Sequence, residues 1–371
     1  MSTSAADRAW VCTRKGLFEM RHGSTTGWRI ARSHFLGEPV SAVLPPLGGG
    51  GRMFAALNLG HFGAKLQVSD DAGGTWRELP APAYPEQPPG AEGAPWKLVQ
   101  IWTLESACDA SRLWLGTLPG GLFASLDHGE TWYLDRSLWD RPERTQWMGG
   151  GNEAPGLHSI CPHPSRPDEL LIGVSCGGAW RRSKAGSGAD ADAVWALRAR
   201  GMRADFMPPE LAEDENSQDP HRIQRCAAEP DVLWCQHHCG IFRSVDNGAR
   251  WQPVDAQPSS FGFAVAAHPQ RGDTAWFVPA VKDERRLPVD GALCVTRTQD
   301  GGAHFEALRE GLPQQDCHDL VYRHGLDVAA SDPRRLLMGS TTGHLWASGD
   351  GGESWRLVAG HLPPIYGLRF G

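Results

Sequence analysis

The segment Ser125-Leu126-Asp127-His128-Gly129-Glu130-Thr131-Trp132 decides the fold of this 371-residue chain, because it recurs. Further copies read Ser69 to Trp76 (SDDAGGTW), Ser244 to Trp251 (SVDNGARW), Thr298 to Phe305 (TQDGGAHF) and Ser348 to Trp355 (SGDGGESW), all of the form Ser/Thr-x-Asp-x-Gly-x-x-aromatic. The third-position Asp falls at 71, 127, 246, 300 and 350, at intervals of 50 to 56 residues with one interval of 119. Self-similarity at this period marks an array of supersecondary units that share one core, so residues 1–371 read as one domain.

Turn chemistry places the octapeptide in a hairpin. Asp accepts hydrogen bonds from turn amides, Gly takes the positive φ that the turn needs, Ser or Thr ties the hairpin base, and the aromatic ring wedges against the apolar layer. The lead-in Gly-x-aromatic-x-Ser, as in Gly121-Leu122-Phe123-Ala124-Ser125, forms the preceding strand. A degenerate unit without the octapeptide fills the long interval, at Leu170 to Ser183, with the insertion Lys184 to Val194 in place of the turn. Another unit opens the chain with three strands (Trp10 to Arg14, Lys15 to Phe18, Trp28 to Ile30), and the closing Pro364 to Phe370 supplies its fourth. The expected fold is therefore all-β: a seven-bladed β-propeller of four-stranded antiparallel blades, closed by pairing of the two chain ends, which removes open sheet edges.

Composition agrees. The 45 Gly, 28 Pro and 16 Trp favour short strands, tight turns and indoles between sheets. A net charge of -7 without like-charge blocks excludes nucleic acid and anionic membrane surfaces as expected partners. Met1 to Trp10 lacks a signal-peptide core, no stretch approaches a membrane span, and the nine cysteines are odd in number without CxxC spacing; the expected location is the cytoplasm, with reduced thiols.

In a propeller, ligands bind around the central channel, at the starts of the inner strands and in the loops joining second to third strands. Aligning inner strands by their terminal Pro turns sets His158, Gln224 and Asp327 at one depth, with Glu153, His221, Arg323 and His324 just above. The second-to-third loops add Asn58, His61, Ser175, Cys176, Gln236, His237, His238 and His344, and Lys282 to Pro288 overhangs the mouth as a charged lid. Two chemistries fit this set. Imidazoles of His158, His221, His237, His238 and His324 are donors for a transition metal such as Zn, Cu or Fe. Without a metal, His158 or His324 acts as acid and base beside Glu153 or Asp327, with Arg323 and Arg222 holding an anionic group of the substrate. The alternative to both is a wet polar tunnel whose histidines bond to strand backbones.

The repeated octapeptides and their lead-ins, among them Gly240-Ile241-Phe242-Arg243-Ser244 and Gly343 to Ser348, resemble the Asp box of bacterial neuraminidase (BNR) repeat proteins, a family of sialidase-like and glycosyl-hydrolase-like β-propellers. More distantly the chain is similar to photosystem assembly factors and sortilin-type propellers. The resemblance implies the fold and names no reaction. Sialidases use an early Arg-Ile-Pro segment, three arginines and a Tyr/Glu pair; this chain has no Arg-Ile-Pro and only four tyrosines, of which Tyr366 is placed to reach the channel. Sialic acid cleavage is thereby disfavoured.

The sequence thus points to a propeller that takes a small polar molecule in a histidine-lined funnel, with Glu153, His158, Arg323 and Asp327 as catalytic candidates. The competing readings are a non-catalytic scaffold that recruits a protein partner, and a glycoside hydrolase with Glu153 and Asp327 as its paired carboxylates.

Overall fold

A computed structural model describes residues 4–46, 50–91, 93–184 and 193–371. Seven four-stranded antiparallel sheets follow one another around an axis. Blade 1 is sewn from both chain ends: Arg8–Thr13, Gly16–Gly23 and Gly27–His34 are joined by Ile365–Phe370, which pairs with Arg8–Thr13 as the innermost strand. The inner strands of blades 2 to 7 are Val40–Leu44, Gln100–Ser106, Leu157–Pro162, Pro220–Arg225, Gly262–Ala267 and Leu326–Val328. Both the blade count and the terminal closure expected from the sequence are present. The degenerate unit is blade 4, whose third and outer strands are Gly178–Lys184 and Ala193–Leu197; most of its expected insertion lies outside the described residues. No helix among the described residues is long and apolar enough to cross a membrane.

Second strands such as Leu113–Leu118 and Leu170–Val174 are buried along their whole length because each is covered by a blade on either side. Such strands read as continuous apolar runs in the sequence. Trp10, Phe54, Trp114, Trp234 and Trp276 occupy corresponding places on these strands and fill the wedge between blades. Residues two apart on a strand share a face. Arg8, Arg52 and Arg112 accordingly lie over Trp10, Phe54 and Trp114 with guanidinium carbons 4.7, 5.5 and 5.2 Å from the ring centroids, closing the wedge toward solvent by cation–π contact.

The five octapeptides share one hydrogen-bond pattern. In blade 3, Ser125 Oγ accepts from the Gly129 amide at 2.8 Å and donates to Asp127 Oδ1 at 2.8 Å, which in turn accepts from the Thr131 amide at 3.0 Å. The other copies repeat these bonds at 2.7–3.0 Å, with Thr298 in place of Ser in blade 6. These bonds hold Asp71, Asp127 and Asp300 down at about 2, the first two mainly through the partners at Thr75 and Thr131. Gly129 has φ +89°, and a Cβ there would lie 2.5 Å from the Phe54 ring of the preceding blade; at Gly73 the same atom would meet Trp10 at 2.6 Å. The turn is thus also a spacer: its glycine lets each blade approach its neighbour's aromatic wedge.

Ser125 is fully buried. Ser125→Ala leaves the buried Gly129 amide without a partner and is expected to destabilise the protein by about 1–3 kcal/mol in denaturant unfolding, while Ser125→Thr, which reproduces the blade 6 chemistry, costs less.

Candidate functional site

Six of the seven inner strands carry a β-bulge at the same level, seen as a register shift against the second strand. The shifts fall at Tyr366, Ser41, Trp102, His158, His221 and the Phe263–Ala264 step. In blade 7 regular pairing starts at Leu326, with the Gly339 amide donating to the Gly325 carbonyl at 2.8 Å, so His324 occupies the corresponding level. A bulge turns an extra side chain out of the regular alternation. Here it builds a ring around the axis that includes three histidines, 158, 221 and 324.

This register corrects the alignment expected from the sequence. His158 is level with His221 and His324, whereas Gln224 and Asp327 are level with Cys161, three residues further along the channel. The bulge residue is invisible to an alignment anchored on the Pro turns.

Above the ring opens a cavity of about 800 Å³, whose lining includes Asp219, His221, His238, Arg323, Tyr322 and Cys176. Loops shape it: Gly150–Asn152, Phe206, and Asp283, Glu284 and Arg286 of the charged lid contribute walls. A second compartment of about 390 Å³ lies at the far mouth, lined by Glu105, Arg222, Gln224, Asp327 and Arg369 among others. Ser41, Trp102 and His324 border both.

Asp219, His221 and His238 offer one ligand atom each, all within 4.8 Å of one another. Asp219 immediately precedes the inner strand of blade 5; His238 follows its second strand, and the His238 amide donates to the Asp219 carbonyl at 3.0 Å, locking the two loops together. Asp219 Oδ2 is 3.7 Å from His221 Nε2 and 3.5 Å from His238 Nδ1, and Oδ1 accepts from the Cys176 amide at 3.2 Å. Cys176 holds a left-handed φ of +41°, so backbone strain accompanies that contact. A Cβ at Gly150 would lie 3.0 Å from Asp219 Oδ2; glycine there leaves the carboxylate approachable.

His221 stacks on Phe263 with ring centroids 4.5 Å apart, and its Nδ1 donates to the Gly262 carbonyl at 2.7 Å. In the neutral ring this bond puts the lone pair on Nε2, facing Asp219. Burial lowers the His221 pKa, whereas the bond to Asp219 raises that of half-buried His238. Burial pushes the Asp219 carboxyl up, but His221, His238 and the charge of Arg323 outweigh it and hold the group well below the usual carboxylate range.

Arg323 is partly buried between Trp102 and Phe263, 5.3 and 5.6 Å from their centroids. Its guanidinium makes no ion pair or hydrogen bond among the described residues, and its buried Nε is without a partner. It is a free cation on the wall of the cavity.

The remaining histidine and carboxylate candidates lie outside the triad, His324 among them at the border of both compartments. His237 points into the core, its ring nitrogens 3.0 Å from the amides of Asp219 and Cys239, one of which its neutral ring accepts; burial lowers its pKa to about 3. It supports Asp219 from behind because adjacent strand residues face opposite ways. His158 is fully buried: Ser159 Oγ accepts from the Ile223 amide at 3.1 Å and shares a hydrogen bond with His158 Nδ1 at 3.0 Å, while Nε2 is unpartnered. His324 Nε2 donates to the His158 carbonyl at 2.9 Å. Burial holds both well below the usual histidine value, hence neutral. Glu153 is exposed outside the cavity lining, and Asp327 faces the far compartment, accepting from the Phe370 amide at 2.9 Å. They therefore do not form a carboxylate pair across the funnel. His344 bonds to Asp319 at 2.7 Å in a separate pocket.

Asp219 is the site residue that reading the histidines alone overlooked. The signal was the Asp-x-His spacing of Asp219-Pro220-His221, next to His238 only through strand pairing.

No family model matches the chain, and no curated protein matches it. Among solved structures it is similar to a Bacteroides uniformis protein described as a candidate 6-phosphogluconolactonase, with TM-score 0.60 and 12% identity over 98% of this chain and 100% of that one. An ancestral GH74 enzyme matches with TM-score 0.56 and 12% identity over 86% of this chain, which spans 38% of that enzyme's length. YCF48 bound to D1 peptide matches with TM-score 0.51 and 14% identity, covering 92% of this chain and 90% of that one. At these identities the likeness shows the β-propeller fold alone.

Removing the Asp219 charge removes what raises the His238 pKa. Asp219→Asn is expected to shift the His238 ring titration to lower pH in the metal-free protein, measured by NMR of the ring protons; an unmoved titration contradicts the contact.

Proposed function

We propose that the chain is an enzyme for a small anionic molecule, with Asp219, His221 and His238 holding a divalent transition metal at the wall of the cavity and Arg323 receiving the anionic group. The carrying observation is the convergence of one carboxylate and two imidazoles within 4.8 Å beside an 800 Å³ space. The donor set fits the group: two histidines and a carboxylate leave open positions, the pattern of catalytic zinc and non-haem iron sites. The Gly262 carbonyl fixes the tautomer of His221, as ligand histidines require.

When bound, such a metal supplies Lewis acidity and an activated water. The protein's own residues do the rest. Arg323 binds a carboxylate or phosphate without first breaking an ion pair, and its aromatic neighbours hold it in place. Burial pulls its guanidinium down while Asp219 pulls it up, so an incoming anion meets a cation that lacks full solvation. Asp219 and the half-buried His238 form a carboxylate–imidazole pair on the cavity wall, and they move the proton if the chemistry runs without metal.

A specific observation supports a second reading, docking of a protein segment on this face. Leu36, Phe62, Val99, Met148, Leu211 and Leu287 are exposed on loops of the funnel side, apolar side chains that a docked segment would cover. YCF48, similar in fold, is described with a bound peptide. Triad variants separate the readings: they abolish activity under the first and leave peptide binding intact under the second.

Protein purified without a polyhistidine tag and reconstituted with Zn²⁺ or Fe²⁺ is expected to hold about one metal per chain by elemental analysis, lost in Asp219→Ala and His221→Ala. Failure of the native protein to retain metal after reconstitution overturns the metal centre. Ligand histidines must be unprotonated, and the His238 pKa is raised; metal affinity therefore falls as pH drops through that raised value, releasing protons on binding at lower pH. Arg323→Met is expected to keep the metal content but to weaken anionic ligands about 10-fold or more, read as KM or Kd.

A further inference from the structure

The far compartment of the channel contains an unmatched charge. Arg222, on the inner strand of blade 5, is 6% exposed. Its sole hydrogen bond among the described residues runs from Nη1 to the His158 carbonyl at 3.4 Å; Nε is buried without a partner, and no carboxylate lies within ion-pair distance. The guanidinium lines the 390 Å³ space.

The other charges of that compartment are taken. Arg369 is held by both oxygens of Glu105, with Nη2 at 3.0 Å from Oε2, a bridge from blade 1 past blade 2 to blade 3. Asp327 accepts from the Phe370 amide, and burial raises its pKa against the opposing pull of Arg369. Arg225 turns outward to the Pro230 carbonyl and, at 2.9 Å, to Asn247 Oδ1. Glu105 is thus taken by Arg369 and Asp327 by backbone, while neither Arg222 nor Arg225 has a carboxylate within ion-pair distance among the described residues. An isolated buried cation is costly unless a counter-charge accompanies it.

We propose that this compartment is a binding site for a small inorganic anion, with the Arg222 guanidinium as its principal donor. The ligand is inorganic and small because the other polar side chains of the compartment are already engaged, Glu105 with Arg369, Asp327 with the Phe370 amide and Gln224 Oε1 with the Ala267 amide. Arg222 is left as the donor, and the several free polar groups by which a pocket orients an organic skeleton are missing among these. Charge and size select here. The site is independent of the Asp219 triad, since it lies beyond the Ser41, Trp102 and His324 border. Its anion also neutralises the far mouth, so the charge at Arg222 does not compete with Arg323 for an anionic molecule entering from the funnel.

Crystals of the intact protein grown in sodium bromide are the direct test. The expected result is an anomalous bromide peak at hydrogen-bonding distance from the Arg222 guanidinium. Density for water alone, or bromide only on the outer surface, overturns the proposal. In solution, bromide should raise Tm by about 2 °C or more relative to equimolar gluconate, whose hydroxyls would lose water in a compartment whose other polar groups are already paired. Arg222→Met should lose that difference, and the exposed control Arg334→Met should keep it. Equal Tm in both salts for the native protein also overturns the proposal. If Arg222→Met does not fold, the bromide peak and the salt comparison on the native protein decide alone.

Discussion

Pairing of Arg8–Thr13 with Ile365–Phe370 is the contact on which the rest depends. A propeller has no terminal cap; each blade buries both faces against neighbours, and the ring is stable only when the first and last units share a sheet. The joint is reinforced at the axis, where Arg369 of the closing strand meets Glu105 of blade 3, and Tyr366 of the same strand reaches the funnel. Closure and the channel lining are therefore one piece of construction. Any loosening of the last strand reaches the site directly.

Once closed, the ring imposes seven inner strands with their starts at one level, and the bulges exploit this. A regular strand alternates between the two faces of its sheet. The extra residue redirects a side chain toward the axis without disturbing the ladder below it. Three blades spend that level on histidine, two on aromatic residues next to Arg323, one on Ser41 and one on Tyr366. The site is thus assembled from short-range irregularities on a repetitive scaffold, and the groups that orient His221 and Asp219, the Gly262 carbonyl and the Cys176 amide, are backbone of neighbouring blades.

Charge is divided along the axis in the same way. Asp219 sits with two histidines at the funnel, and among the described residues neither Arg323 beside them nor Arg222 at the other end has a carboxylate within ion-pair distance. The octapeptide turns carry charged groups too, but Asp127 and its counterparts are consumed by turn amides and hydroxyls. Their conspicuousness in the sequence reflects geometry at the blade edge, far from the chemistry.

Local rules decided much of this protein. The Ser/Thr-x-Asp-x-Gly-x-x-aromatic spacing, the Gly-x-aromatic lead-ins and the strand character of Pro364 to Phe370 were enough for seven blades and their closure, since turns and strand periodicity act over a few residues. His221, His238 and Arg323 were legible as funnel residues for the same reason. Tertiary structure alone decided which of them meet. The bulge shifted His158 three places from Asp327, adjacency on a strand turned His237 away from His238, and Asp219 became the partner of both His221 and His238 through pairing of strands in blade 5. A single-residue change of register alters direction and depth together, and nothing in the linear pattern of this chain records it.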